Sequence, residues 1–400
     1  MSPSSRLERL SLDRRALLRA GAAGALGLGA SSLLPGWARA SLARPGYAGP
    51  KVILVRFGGG VRRQETIGPV EDCWAPYFRH ELLKRGTLYS NMVMSEGETS
   101  HGEGTLHLLT GEYGAYQDAQ EALIGTRFEP PVPTLFEYLR KAFDVPSEQA
   151  LIVNGEDRKD EEYFNFSNHR LHGIEYRSHT LSLFRFKEHL LRRQLAGGRL
   201  TDEEIAAKTK ALEEVADLDP RTVGHDLHSP VIEGFWERWR ERYGEDGLRN
   251  PRGDRLLTEL SIRALAELKP KLMMINYQDP DYVHWGNPNH YTWGIKIIDE
   301  GLQRLVAAVE ADEEYRDDTV FIVVPDCGRS ANPLIPVPYQ HHFPGRSSRE
   351  IFAFVMGPKV PAGQRIEREV EQVDVTSTIG TLMGFDTEHA TGGVLPEVFS

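Results

Sequence analysis

Thr319-Val320-Phe321-Ile322-Val323-Val324 runs directly into Pro325-Asp326-Cys327-Gly328-Arg329. Six consecutive apolar or β-branched residues, closed by proline and then by charged residues, read as a strand buried on both faces. A half-exposed strand would alternate polar and apolar positions. Val52–Phe57, Ala150–Val153, Leu272–Tyr277 and Ile351–Met356 have the same character. Between these runs the apolar spacing changes to three and four residues. Pro133 to Phe143 starts with proline at the first turn, and Thr201-Asp202-Glu203-Glu204 is a capping box leading into a helix to about Ala216. Arg255 to Leu268 and Tyr291 to Ala311 repeat the helical period. Buried strands alternating with amphipathic helices predict an α/β fold: a doubly wound, mostly parallel sheet with helices on both faces.

Residues 180–250 break the alternation. They read as almost wholly helical and charged, with the basic stretch Arg185–Arg193, a Gly197-Gly198 break and the aromatic sequence Phe235-Trp236-Glu237-Arg238-Trp239. The expectation is an inserted helical segment with a solvated face; a lid over the site is the functional alternative.

At 400 residues, with 40% hydrophobic and 26% charged, the chain suits one large domain or two medium ones. Its net charge of -11 argues against nucleic acid as a partner, since general phosphate neutralisation needs a basic surface. A bound anion has to be captured locally. Two cysteines, Cys73 and Cys327, cannot form a disulfide framework or a four-cysteine zinc site.

The first forty residues read as an address. Arg14-Arg15 is followed by an Ala- and Gly-rich apolar stretch from Ala20 to Leu34 and then by Ala38-Arg39-Ala40. A charged region, an apolar region and a small-residue cleavage site form a secretory signal, and the arginine pair marks the twin-arginine type. The expectation is a signal peptide over 1–40, the twin-arginine export machinery as partner, and a bacterial periplasmic or extracellular destination for residues 41–400. Removing the signal, with its six arginines against Glu8 and Asp13, takes the net charge from -11 to -15. Beyond it no apolar run approaches the roughly 20 residues that span a bilayer, so no transmembrane segment is expected in the mature chain.

In an open parallel sheet, ligands sit beyond the carboxyl ends of the strands. Leu272–Tyr277 is followed by Asp279, Asp281 and His284; Thr319–Val324 by Asp326, Cys327 and Arg329; and His341-His342 stands shortly before Ile351–Met356. Carboxylate, imidazole and thiolate together are the ligand set of zinc, and the oxygen and nitrogen subset also suits manganese or iron.

The order of these features resembles the alkaline phosphatase superfamily. The resemblance rests on Lys51–Phe57 with its glycine turn and on Ser100 to Gly111, which closes in Thr110-Gly111. It rests further on Asp279–Gly286, on Ile298-Asp299 through Asp318 to Asp326-Cys327-Gly328-Arg329, and on Val373–Thr378 with Leu382-Met383-Gly384-Phe385. It implies an exported, metal-dependent hydrolase of a small anionic substrate, a phosphate or sulfate ester, acting by in-line displacement at a metal-activated nucleophile. One divalent ion, zinc foremost with manganese as the alternative, would take Asp279 or Asp281, His284, and His341 or His342. A second would take Asp326, the residue at 327, the nucleophile and an acid after the first strand. Arg329, with Arg56, Arg62 or Arg63, would hold the anion's oxygens.

The chain departs from that pattern at four places. Asp279 and Asp281 stand five and three residues before His284, where the pattern has four. Gly58-Gly59-Gly60 stands where the acid is expected, Cys327 replaces the histidine of the "Asp-His-Gly" turn, and the nucleophile spacing falls on His101 with Ser100 one residue away. Two repairs are open. Cys327 can serve as a thiolate ligand with Glu98, His101 or Glu103 as the missing acid. Alternatively the site holds one ion or none, with His101 as base or ligand. Cys327 can equally be a buried thiol, or pair with Cys73 after export. The alternative function is a degenerate member that binds an anionic or carbohydrate ligand without turnover.

Overall fold

A computed structural model describes residues 44–114, 130–216, 219–245, 253–285, 287–330, 339–342 and 345–400. The signal-peptide reading of 1–40, and Gly286 of the Asp279–Gly286 stretch, lie outside the described residues. Residues 45–400 form one compact unit.

Its frame is a sheet of nine strands: β1 (Lys51–Arg56), β2 (Thr87–Val93), β3 (Ala150–Asn154), β4 (His179–Leu181), β5 (Leu272–Asn276), β6 (Thr319–Val324), β7 (Glu350–Met356), β8 (Gln364–Ile366) and β9 (Val370–Glu371). The spatial order is β4-β3-β5-β1-β6-β7-β2-β8, with β9 beside β2. Every pairing is parallel except those of β7 with β6 and with β2, so β7 alone runs against the other eight. This is the mostly parallel sheet that the apolar runs predict.

Among the described residues, eight helices of at least eight residues surround it: α1 (His101–Thr110), α2 (Leu135–Ala142), α3 (Leu183–Ala196), α4 (Asp202–Val215), α5 (Pro230–Tyr243), α6 (Asp254–Leu268), α7 (Pro288–Ala311) and α8 (Asp374–Met383). The pleat divides each strand between two cores. Ile53, Val55, Met273, Ile275, Phe321 and Val323 face α6 and α7. Val52, Leu54, Leu272, Met274, Val320 and Ile322 face α1, α2 and α8. Both faces are covered, as a doubly wound sheet requires. Between 180 and 250, α3 and α5 bury Phe186, Leu190, Phe235, Trp236 and Trp239 in the α6–α7 core, whereas Val215 is the only buried residue of α4.

The central strands end flush, with Arg56 level with Asn276 and Val324, and Asn154 level with Asn276. The segments after β1, β3, β5 and β6 therefore leave the sheet along one edge. The residues ahead of antiparallel β7 enter at that same edge.

Candidate metal centre

Asp279–Trp285 forms a 3-10 helix. With three residues per turn, positions i and i+3 eclipse, so Asp281 and His284 share one side, and the Asp281 Oδ1 to His284 Nε2 distance is 3.0 Å. Asp279 faces elsewhere: its Oδ1 accepts from the Asp254 N–H at 3.2 Å, at the start of α6. Of the two aspartates left open by sequence, Asp281 is the one brought into the cluster.

His101 opens α1. Its Nε2 lies 2.9 Å from Asp281 Oδ1 and its Nδ1 lies 2.6 Å from Asp326 Oδ2. Ser100 caps the same helix, its hydroxyl accepting from the Glu103 N–H at 3.2 Å, and it is sealed from solvent. A serine spent on its own helix turn does not face the cluster, whereas the next residue does.

His341 Nδ1 lies 2.6 Å from the Thr99 carbonyl oxygen. A carbonyl only accepts, so Nδ1 carries the ring proton and Nε2 keeps its lone pair. That Nε2 is 3.1 Å from His284 Nε2 and 3.7 Å from Asp281 Oδ1. His342 is exposed at the cavity wall, its ring stacked with that of His284 and tilted against that of His341.

His101, Asp281, His284 and His341 thus bring one ligand atom each within 4.8 Å of one another. Zinc bonded to nitrogen and oxygen at about 2.0–2.1 Å sets its tetrahedral ligand atoms roughly 3.3 Å apart. The observed separations of 2.9, 3.0, 3.1 and 3.7 Å bracket that figure. A backbone carbonyl fixing His341 is also the outer support that ligating histidines need. The donor set fits a divalent ion.

Electrostatics hold the donors in place. Burial disfavours a charge on His101, but Asp281 and Asp326 outweigh it and keep its pKa well above the ordinary histidine value. Burial likewise opposes ionisation of Asp281, and His101, His284 and Arg329 reverse the effect, holding the carboxylate well below its usual range. Burial, then the charges of His101 and Arg329, push His341 far down, so it is neutral.

Gly58–Gly60 supply no side chain where an acid is expected, for a steric reason. A Cβ on Gly58 would fall 1.8 Å from the Tyr277 carbonyl oxygen. Gly59 and Gly60 adopt positive φ of 75° and 63°, which glycine tolerates best. Their carbonyls accept from Arg329 Nε at 2.9 and 2.8 Å. Arg329 Nη1 donates to the Tyr339 carbonyl at 2.6 Å, and Nη2 reaches Asp281 Oδ1 at 2.5 Å. Its guanidinium is therefore fixed at the cluster.

The other arginines are not available to an anion. Arg56 is fully buried, paired with Glu156 and donating to Thr105 Oγ1, the Tyr277 carbonyl and Gln278 Oε1. Arg62 pairs with Glu65 and lies over the Tyr339 ring. Arg63 is tied to Glu350 and the Ser90 carbonyl. Glu103 accepts from the Glu98 N–H at 2.8 Å, an end-of-helix role. Both cysteines are free thiols. Cys73 lies near the Thr66 carbonyl, and Cys327 is buried in the α1–α8 core.

A cavity of about 100 Å³ opens over the cluster, lined by the four donors with Gly102, Gln278, His342, Tyr163 and the acids Glu156, Asp157 and Asp160. Burial, and next the charge of Glu156, raise the Asp160 pKa to about 7; its Oδ1 accepts from Tyr163 O–H at 2.6 Å. A larger cavity of about 550 Å³ lies away from these donors, beneath α3 and α5.

No family model matches the chain, and no curated protein matches it in sequence. Solved structures do. A protein in the alkaline phosphatase superfamily from Vibrio parahaemolyticus matches with TM-score 0.51 and 14% identity, over 88% of this chain and 72% of that one. The phosphonate monoester hydrolase of Agrobacterium radiobacter matches with TM-score 0.52 and 13% identity, over 88% and 77%. The PsFucS1 sulfatase from Pseudoalteromonas sp. matches with TM-score 0.51 and 14% identity, over 88% and 72%. The chain has the fold of the alkaline phosphatase superfamily.

Proposed function

We propose that the protein is an exported, metal-dependent hydrolase of a phosphate or sulfate ester. One observation carries the reading: three imidazole nitrogens and a carboxylate oxygen, drawn from segments spread between His101 and His341, converge at the carboxyl edge of the sheet in a small cavity. A phosphonate monoester hydrolase and a sulfatase among the structures of this fold support ester hydrolysis at phosphorus or sulfur. The export reading rests on Arg14-Arg15 and Ala38-Arg39-Ala40. Among the described residues no helix is long and apolar enough to cross a membrane.

Asp281, His284, His341 and His101 would hold the ion. When bound, a divalent ion supplies a Lewis acid for the ester oxygen and lowers the pKa of a water molecule. The described cavity lining contains no serine or threonine, so the reading takes water as the attacking group. Asp160, in the lining of the same cavity and with a pKa of about 7, suits transfer of a proton to or from the reacting groups. Arg329, anchored on two carbonyls, keeps Asp281 ionised and oriented.

A second reading, anion binding without turnover, follows from the hold of Arg329 on Asp281, because that ion pair competes with a metal ion for the carboxylate oxygen. The experiment assays the zinc- and manganese-loaded chain against 4-nitrophenyl phosphate, 4-nitrophenyl sulfate and an aryl phosphonate monoester. Turnover abolished by His284→Ala is the expected result. A metal-loaded chain that binds these anions and turns none over supports the second reading instead.

A further inference from the structure

His101, Asp326 and Cys327 form a second group of ligand atoms within 4.8 Å of one another. It lies at the turn after β6, where the sequence suggests a second ion. The hydrogen bonds of Asp326 give it a different role. Asp326 Oδ1 accepts from the Gly60 N–H at 3.1 Å and from the Cys327 N–H at 2.9 Å. Its Oδ2 takes His101 Nδ1 at 2.6 Å, with Arg56 Nη1 at 3.7 Å. The carboxylate is wholly buried, and both oxygens are satisfied by donors of the chain itself.

The surroundings also oppose a second cation. Behind Asp326 stands the sealed guanidinium of Arg56, which already lies 3.7 Å from Oδ2 and shares its charge. The turn after β1 offers backbone N–H and carbonyl groups but no side chain. The Cys327 sulfur is 3.9 Å from His101 Nδ1 and otherwise packed among apolar side chains.

What Asp326 does is hold His101. With Nδ1–H committed to a carboxylate, the other nitrogen of the ring points at Asp281, beside His284 and His341. A carboxylate behind a histidine, fixing its tautomer and ring plane, is the recurrent outer support of a metal-ligating imidazole. Thr99 does the same for His341 through its carbonyl.

We propose that the chain holds a single divalent ion on His101 Nε2, Asp281, His284 and His341, and that Asp326 is the positioning residue of His101 and Cys327 no ligand at all. This rests on the metal-dependent reading of the site and assigns its stoichiometry and the division of labour within it.

The test is the metal content of the purified chain saturated with zinc and freed of excess, with cobalt substitution as a spectroscopic readout. One ion per chain is expected, with no thiolate-to-cobalt charge-transfer band. Asp326→Asn, checked for folding by circular dichroism, should still take one ion but bind it about 10–100-fold more weakly. Cys327→Ser should leave stoichiometry and cobalt spectrum unchanged. Two ions in the native chain, falling to one in Asp326→Asn, overturn the proposal and leave the hydrolase reading standing. A thiolate band in the native chain overturns it without any variant. Unchanged affinity in folded Asp326→Asn removes the positioning role, and a chain that takes no ion overturns the hydrolase reading together with this one.

Discussion

The Nε2 atoms of His284 and His341 face each other at 3.1 Å, across a gap that only a shared proton or a shared metal ion satisfies. The Thr99 carbonyl already holds the Nδ1 proton of His341, and burial keeps that ring neutral. Removing His341 should therefore cost more zinc affinity than the roughly 10–100-fold typical of an outer-shell partner. Competition with a chromophoric chelator measures it, and unchanged affinity in His341→Ala speaks against His341 as a ligand.

Arg56 and its two acidic neighbours make a stability prediction. With Glu156 and Asp326 both buried against it, Arg56→Met leaves uncompensated charge in the interior and should cost about 3–5 kcal/mol in urea unfolding. Adding Glu156→Gln should recover part of the loss. A double variant no better than the single one contradicts the account.

Gly104 reverses a familiar expectation. In an exposed helix interior glycine to alanine stabilises by about 1 kcal/mol. A Cβ on Gly104 in α1, however, would fall 2.1 Å from the Asp326 carbonyl oxygen. Gly104→Ala should lower the thermal midpoint and weaken zinc binding, because α1 and His101 must shift away from Asp326. A rise in both would show that the contact relaxes freely.

Asp160 sets a pH dependence. Its folded pKa is about 7, against about 3.9 when unfolded, so the folded chain retains the extra proton between those values. The stability it contributes is fully present below about pH 4 and is lost as pH rises through about 7. Asp160→Asn should abolish that loss, a gain on the order of 4 kcal/mol at pH 8, while depressing turnover. Chemical denaturation at pH 5 and pH 8 checks the sign, and an equal effect at both pH values contradicts it.

Much of this was legible in the chain. Five apolar runs mark β1, β3, β5, β6 and β7, and the strand-end rule points to Asp281, His284, Asp326 and His341. β2 escapes notice because Ser90 and Asn91 interrupt its apolar pattern, and β4, β8 and β9 are too short to carry a period. That β7 runs antiparallel has no local signature. The choice between Asp279 and Asp281 depends on a 3-10 turn that spacing alone does not reveal. Glu156 and Asp160, which line the cavity, do have a signal: they follow β3 directly, and the rule applied to that strand finds them. The role of Asp326 emerges only when the donors to each of its oxygens are identified.

The most direct test is a crystal structure of the zinc-loaded chain with anomalous data at the zinc edge. The account predicts one peak at about 2.0–2.2 Å from His101 Nε2, an Asp281 oxygen, His284 Nε2 and His341 Nε2. Zinc bound at another set of residues, with these four left as they stand, would contradict it.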